Sequence, residues 1–90
     1  MTVAAMWEAR AAQGRGAELL AWAREQALPV PAADGPDRVE LFTAPGERVL
    51  LISWWPDGVA PLAPPQPPAE LLARPVHQWA FRSELVVEAG

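Results

Sequence analysis

Residues 48–55, RVLLISWW, form a run in which apolar and β-forming side chains fill both alternating sets of positions. The two sets are Leu50, Ile52 and Trp54, and Val49, Leu51, Ser53 and Trp55. Because successive side chains of a strand point to opposite faces of its sheet, both faces of this strand are almost entirely apolar. A sheet that contains such a strand must be covered on both sides, by helices of the same chain or by a partner.

The size of the chain favours a partner. It has 90 residues, five of them Trp, and no Cys. A chain this short buries only about 60% of the surface that its unfolded form exposes, and no disulfide or thiolate site adds stability. We therefore predict one domain over residues 1–90 that forms a homodimer through an uncovered sheet face.

Charge and local composition argue against several classes of partner. The net charge is −4, and the seven basic residues, all Arg, are scattered along the chain, which argues against nucleic acid and anionic membrane surfaces. No segment has the pattern of a signal peptide or the length of a membrane span, so we expect a cytoplasmic protein. With one His and no Cys, we expect no metal site and no cofactor.

Periodicity and the positions of Pro and Gly predict six elements and one long connection. Strands are predicted at 2–10, 38–43, 48–55 and 76–87, helices at 16–28 and 68–73, and a Pro-rich crossing at 56–68. This order is that of an α+β, ferredoxin-like β-α-β-β-α-β fold with a four-stranded antiparallel sheet. Right-handed crossovers would place both helices on one face and leave the other face bare.

The adjacent tryptophans must then lie on opposite faces of the sheet. The alternation of side chains does not by itself show which tryptophan lies on which face. The set that contains Trp55 also contains the polar Ser53, so we expect Trp55 on the bare face and Trp54 beneath the helices.

Three further features make the chain similar to a known family. An early strand MWEARA, a Gly-x-Gly that opens the helix GRGAELLAW, and a third strand that ends in Trp resemble the antibiotic biosynthesis monooxygenase (ABM) type of dimeric α+β barrel. The resemblance covers essentially the whole chain and implies two sheets packed face to face around a lumen. Proteins of this type include cofactor-independent monooxygenases of polycyclic phenols, haem-degrading enzymes and proteins without known activity, so the fold alone does not carry function.

The resemblance implies a lumen that binds a small aromatic or polyketide-like compound, with oxidation as one activity. Aromatic walls would come from Trp54, Trp55, Trp79 and Phe81. His77 would be a general base, and Arg10 and Arg82 would stabilise a phenolate. Each of these residues also has a structural interpretation, as part of a dimer interface or a solvated strand end.

Two alternatives remain open at this stage. A non-catalytic dimeric binding or assembly module would use the same tryptophans as interface. Haem binding or degradation is a lesser option, because the chain has no Asn and His77 follows the second predicted helix instead of lying on it. Gly14-Arg15-Gly16 could present backbone N–H groups to a phosphate, although a simple helix-opening turn is favoured.

Overall fold

One antiparallel sheet of four strands organises the chain. The computed structural model describes residues 2–27 and 35–89. Its elements are β1 (Val3–Arg10), α1 (Gly16–Ala27), β2 (Arg38–Ala44), β3 (Arg48–Trp55) and β4 (His77–Arg82). The strand order is β2-β3-β1-β4, which confirms the predicted four-stranded antiparallel sheet. Leu28, the last residue of the predicted first helix, lies outside the described residues.

The register assigns each side chain to one of two faces. In the central pair of strands, Val3 lies opposite Trp55, and Arg10 lies opposite Arg48. Directly opposed residues of antiparallel strands share a face, so Trp7 and its partner Leu51 point the same way. We call this side the helix face and the opposite side, which carries their chain neighbours, the open face.

The core lies between the helix face and α1. Leu19 and Ala23 of α1 pack in one buried cluster with Trp7, Ala9 and Val49 of the sheet. Leu19 and Val49 are the largest fully buried side chains, and each contributes roughly 1.5–3 kcal/mol by leaving water. The indole of Trp22 stacks on that of Trp7 with ring centroids 6.1 Å apart, so α1 also covers the large aromatic ring at the centre of β1.

The second predicted helix, at 68–73, is wrong. Only a single turn of 3₁₀ helix forms, at Ala69–Leu71. Prolines on either side leave too few residues to offset the cost of starting an α-helix. The end of β1 takes up the backbone groups instead: Ala12 N–H donates to the Leu71 carbonyl at 2.8 Å, and Ala73 N–H donates to the Arg10 carbonyl at 2.9 Å.

The last strand is shorter than the predicted 76–87. Its ladder with β1 runs from Val3 opposite Arg82 to Glu8 opposite His77. One more backbone hydrogen bond, from Ser83 N–H to the Thr2 carbonyl at 2.8 Å, extends the pairing. Residues 84–89 belong to no strand, and the apolar side chains at 85–87 are strongly exposed. Apolar and β-branched composition predicted a strand here, but a strand also needs a neighbour with which to pair.

The turn before α1 binds the chain's own carboxylate. Glu47, in the hairpin between β2 and β3, accepts hydrogen bonds from Gly14 N–H at 2.9 Å and from Gly16 N–H at 3.1 Å. Gly14 has φ +77°, which suits glycine, and Glu47 itself has φ +58°, which is costly for a residue with a Cβ. The backbone N–H groups of Gly14 and Gly16 therefore do hold an anion, but it is supplied from within the fold, and the Arg15 N–H donates to the Ala12 carbonyl instead.

Arg15 fixes the same turn from its other side. Its guanidinium donates to the Glu18 carboxylate, with an Nη2 to Oε2 distance of 2.6 Å, and to the Glu70 carbonyl at 3.3 Å. The hydrogen bond from Arg15 lowers the pKa of the Glu18 carboxyl below its ordinary value. Arg15 thereby joins the start of α1 to the 3₁₀ turn.

We predict that Glu47→Ala lowers the free energy of unfolding by about 1–2 kcal/mol, because both N–H groups lose their acceptor at a helix N-terminus. Glu47→Gln keeps one acceptor oxygen and should lose less. Glu25→Ala, on an exposed position of α1, is the matched control and should stay within about 0.5 kcal/mol of the wild type. Urea unfolding at one fixed protein concentration measures all three, and equal losses for Glu47→Ala and Glu25→Ala would contradict the capping role.

Candidate functional site

The open face carries exposed aromatic side chains on both edge strands. Trp79 and Phe81 of β4 are 47% and 51% exposed, and Phe42 of β2 is 36% exposed. Trp54 lies on the same face, where the Arg38 guanidinium stands 5.1 Å from the centre of its indole ring. Among the described residues, no helix covers this face, so its apolar side chains are exposed to water in the single chain.

Charged residues cluster at one end of the open face. The carboxylate of Glu8 lies 2.5 Å from Arg74 Nη2, 3.8 Å from Arg48 Nη1 and 3.9 Å from His77 Nδ1. Only the contact with Arg74 is a hydrogen bond. His77 also meets Trp79 edge to face, with ring centroids 5.5 Å apart. A hollow of about 320 Å³ begins at Glu8 and Arg48 and extends towards β2.

The expectation that Trp55 lies on the open face is wrong. Trp55 shares the helix face with Val49 and Leu51 and is only 4% exposed, so Trp54 is the open-face residue. The polar Ser53, which suggested the opposite assignment, accepts a hydrogen bond from Trp55 Nε1–H at 2.8 Å. Ser53 is therefore the hydrogen-bond acceptor of a buried tryptophan. Its polarity does not show that its side of the strand faces solvent.

The structure brings together only part of the predicted catalytic set. His77, Arg10 and the aromatic rings of Trp79 and Phe81 belong to the open face. Arg82 lies opposite Val3 on the helix face, so it cannot share a site with Arg10 across the sheet. Within the described residues, no group of three or more His, Asp or Glu side chains is arranged to hold a metal ion.

The helix face contains a cavity that the sequence did not indicate. It measures about 300 Å³ and lies between the sheet and the Pro-rich crossing. The helix face of the sheet contributes Ala5, Trp7, Leu51, Ser53, Gln78 and Ala80, the intervening positions contribute Met6 and Trp79, and the crossing contributes Pro61, Leu62, Ala63 and Pro64. The described part of the crossing has no helix before the 3₁₀ turn, so it leaves this part of the sheet loosely covered. None of the described residues that line the cavity is titratable.

One polar atom in this region has no partner. Trp7 is only 3% exposed, and its Nε1–H is buried without an acceptor among the described residues. An unsatisfied buried donor costs about 1–3 kcal/mol. Ser53 accepts from Trp55, so its own hydroxyl proton remains available to a molecule in the cavity. The Trp7 Nε1 atom has almost no accessible surface and belongs to the core, whereas Ser53 lines the cavity. Periodicity alone could not have located either group.

Comparison with known proteins supports the fold of this chain, and it assigns neither a family nor a function. No family model matches the chain, and no curated protein matches it. A solved structure, that of Rv0793 from Mycobacterium tuberculosis, is similar over 100% of both chains, with a TM-score of 0.69 and 18% sequence identity. At this identity the similarity shows a small α+β fold. None of the helices in the described part of the chain is long and apolar enough to cross a membrane.

The two tryptophans should respond differently to substitution. Trp55→Ala removes a buried ring and should lower the free energy of unfolding by about 3–5 kcal/mol. Trp54→Ala removes a half-buried ring from the open face and should cost less, about 1–2 kcal/mol. Denaturant unfolding of both variants at low protein concentration tests the assignment, and a larger loss in Trp54→Ala would reverse it.

Proposed function

We propose that the chain is an ABM-like protein that forms a homodimer through its open face and binds a small aromatic or polyketide-like molecule in the helix-face cavity of each protomer. The cavity carries this proposal. Its volume of about 300 Å³ lies at the lower end of the roughly 300–1,000 Å³ typical of ligand pockets. Apolar walls with two or three polar groups are also the usual composition of such pockets.

The exposed surface supports a dimer. Large apolar side chains of the open face are exposed, Trp79 by 47%, Phe81 by 51% and Phe42 by 36%. Aromatic side chains with this much exposure are enriched where proteins associate. A face-to-face pair of sheets would bury Trp79, Phe81 and Trp54, as the ABM resemblance implies.

Binding is better supported than turnover. Cofactor-free oxidation of a phenol begins with the loss of a proton, and the helix-face cavity has no titratable side chain to accept it among its described lining residues. His77 and Glu8 lie on the other side of the sheet. This separation favours a non-catalytic binding module over a monooxygenase.

The dimer is tested by placing a charge on the open face. Phe81→Glu buries two unpaired carboxylates in a symmetric interface and should raise the dimer dissociation constant at least about a hundredfold. Ala80→Glu, the next residue on the same strand but on the helix face, should leave the dimer unchanged. Sedimentation equilibrium over a concentration series measures both. A wild-type protein that remains monomeric at all concentrations would refute the dimer.

Neighbouring alanines of β1 can locate the ligand. Ala5 lines the helix-face cavity, whereas Ala4 points to the open face. With 2-acetylnaphthalene as the probe, Ala5→Leu should weaken binding at least about tenfold, because the added side chain fills the cavity. Ala4→Leu should bind the probe like the wild type.

Equilibrium dialysis measures the affinities, and circular dichroism confirms that each variant is folded. Loss of binding in Ala4→Leu alone would place the ligand in the lumen between the two sheets. No binding of the probe to the wild type would refute the proposed cavity function.

A further inference from the structure

We infer that the C-terminal segment of one protomer, residues 84–89, docks on the open face of its partner. Its apolar side chains fill the hollow that begins at Glu8 and Arg48, and its carboxylates pair with the arginines beside that hollow. This inference rests on the proposed dimer and identifies the part of the second copy that completes the open face.

The C-terminal segment is apolar and acidic, and its side chains are exposed. Leu85, Val86 and Val87 are 81%, 71% and 81% exposed. Glu84 and Glu88, on either side of them, are also exposed, and neither forms an ion pair with another described residue. Water solvates three adjacent apolar side chains poorly, so a segment of this kind is suited to association with another surface.

Three of the seven arginines meet at one end of the open face, although they are far apart in the sequence. Arg48 and Arg74 lie 3.8 Å and 2.5 Å from the carboxylate of Glu8, and Arg10 lies opposite Arg48 in the sheet. Arg10 and Arg74 also share a hollow with Glu47, whose carboxylate already accepts two backbone N–H groups. Arg10 has no ion pair with a described residue. This arginine cluster is therefore complementary in charge to an acidic segment.

The hollow beside the arginine cluster has the apolar walls that the segment requires. It measures about 320 Å³, and Phe42, Leu50 and Ile52 line it together with Glu8 and Arg48. Apolar walls that end at charged groups match a segment whose apolar residues lie between two glutamates. A small anion would pair with the arginines but would leave these walls exposed to water, so the segment is the better occupant.

The course of β4 directs the segment away from the arginine cluster of its own chain. β4 begins at His77, opposite Glu8. It ends at Arg82, opposite Val3, so the segment leaves the sheet roughly 17 Å from Glu8, at about 3.3 Å per residue of strand. In a two-fold dimer whose axis runs across the strands, this end of one sheet lies over the charged end of the other. An extended segment of about 20 Å then reaches the partner's hollow.

Deletion of residues 84–90 tests the contribution of the segment. Residues 84–89 belong to no strand of their own chain, so the shortened protein should keep the circular dichroism spectrum of the wild type. Its dimer dissociation constant should rise at least about tenfold, because buried apolar contacts are lost. Sedimentation equilibrium measures both proteins. An unchanged constant would overturn the inference and leave the proposed dimer standing, whereas a wild type that stays monomeric would overturn both.

An exchange of charges distinguishes a contact between protomers from one within a protomer. Arg10→Glu and the double variant Glu84→Arg/Glu88→Arg should each raise the dissociation constant about threefold to tenfold, because like charges then meet at the interface. In a mixture of the two variants each segment again meets an arginine cluster or its reversed form of opposite charge. The heterodimer should therefore return to within about twofold of the wild-type affinity, measured by fluorescence anisotropy with one variant labelled. Glu25→Arg, on an exposed position of α1, is the control and should leave the dimer unchanged.

A spin label locates the segment directly. The chain has no Cys, so Ala89→Cys provides a single attachment site. When the labelled protein is mixed with ¹⁵N-labelled wild type, the backbone amide resonances of Phe42 and Arg48 should broaden more than that of Glu25. Equal broadening of all three, or none in a dimeric sample, would overturn the inference. Failure of the charge-exchanged mixture to recover affinity would do the same.

Discussion

The alternation of side chains along the two central strands determines the rest of the structure. Both β1 and β3 carry apolar residues on both faces, so the sheet has two surfaces that water solvates poorly. Helix α1, the one α-helix in the described part of the chain, covers the middle of one surface through Leu19 and Ala23. What remains is a cavity beneath the Pro-rich crossing and an uncovered face on the other side. The dimer and the ligand site that we propose have the same cause: the described residues leave part of each apolar sheet face uncovered.

Local patterns were sufficient for the sheet and α1, and insufficient for the second helix. Alternation over six to eight residues determines a strand wherever a neighbouring strand exists, which is why β1, β2 and β3 fall close to the predicted ranges. The segment at 68–73 begins with a proline, which a first helical turn tolerates, but its backbone groups bond to the chain at the end of β1. The residues that it bonds to are distant in sequence, so the sequence of the segment alone could not predict these bonds. β4 ends at Arg82 for a different reason, because the residues that follow have no neighbouring strand with which to pair.

At the candidate site too, side-chain alternation within a strand was predictable from the sequence, whereas contacts between distant segments were not. His77, Trp79 and Phe81 alternate along the predicted last strand, so they share one face of it, and the register places them together on the open face. The predicted faces of Trp54 and Trp55 are the reverse of the observed ones. The polarity of Ser53 suggested a solvent-facing position, but this residue accepts a hydrogen bond from the buried Trp55 indole. The cavity depends on how the crossing passes over the sheet, which three-dimensional packing decides and composition does not.

The polar groups on the two faces differ in what they can still offer to a ligand. On the open face, Glu8 already binds Arg74, and Arg38 already binds Glu40, so a ligand would have to compete with an existing ion pair. On the helix face, the described residues that line the cavity carry no charge, and Ser53 and Gln78 are its polar side chains. A ligand there meets no existing ion pair, whereas a ligand on the open face has to exchange partners with one. The helix face therefore gains more from a small neutral molecule, and the open face, with its exposed aromatic rings, gains more from a second copy of the chain.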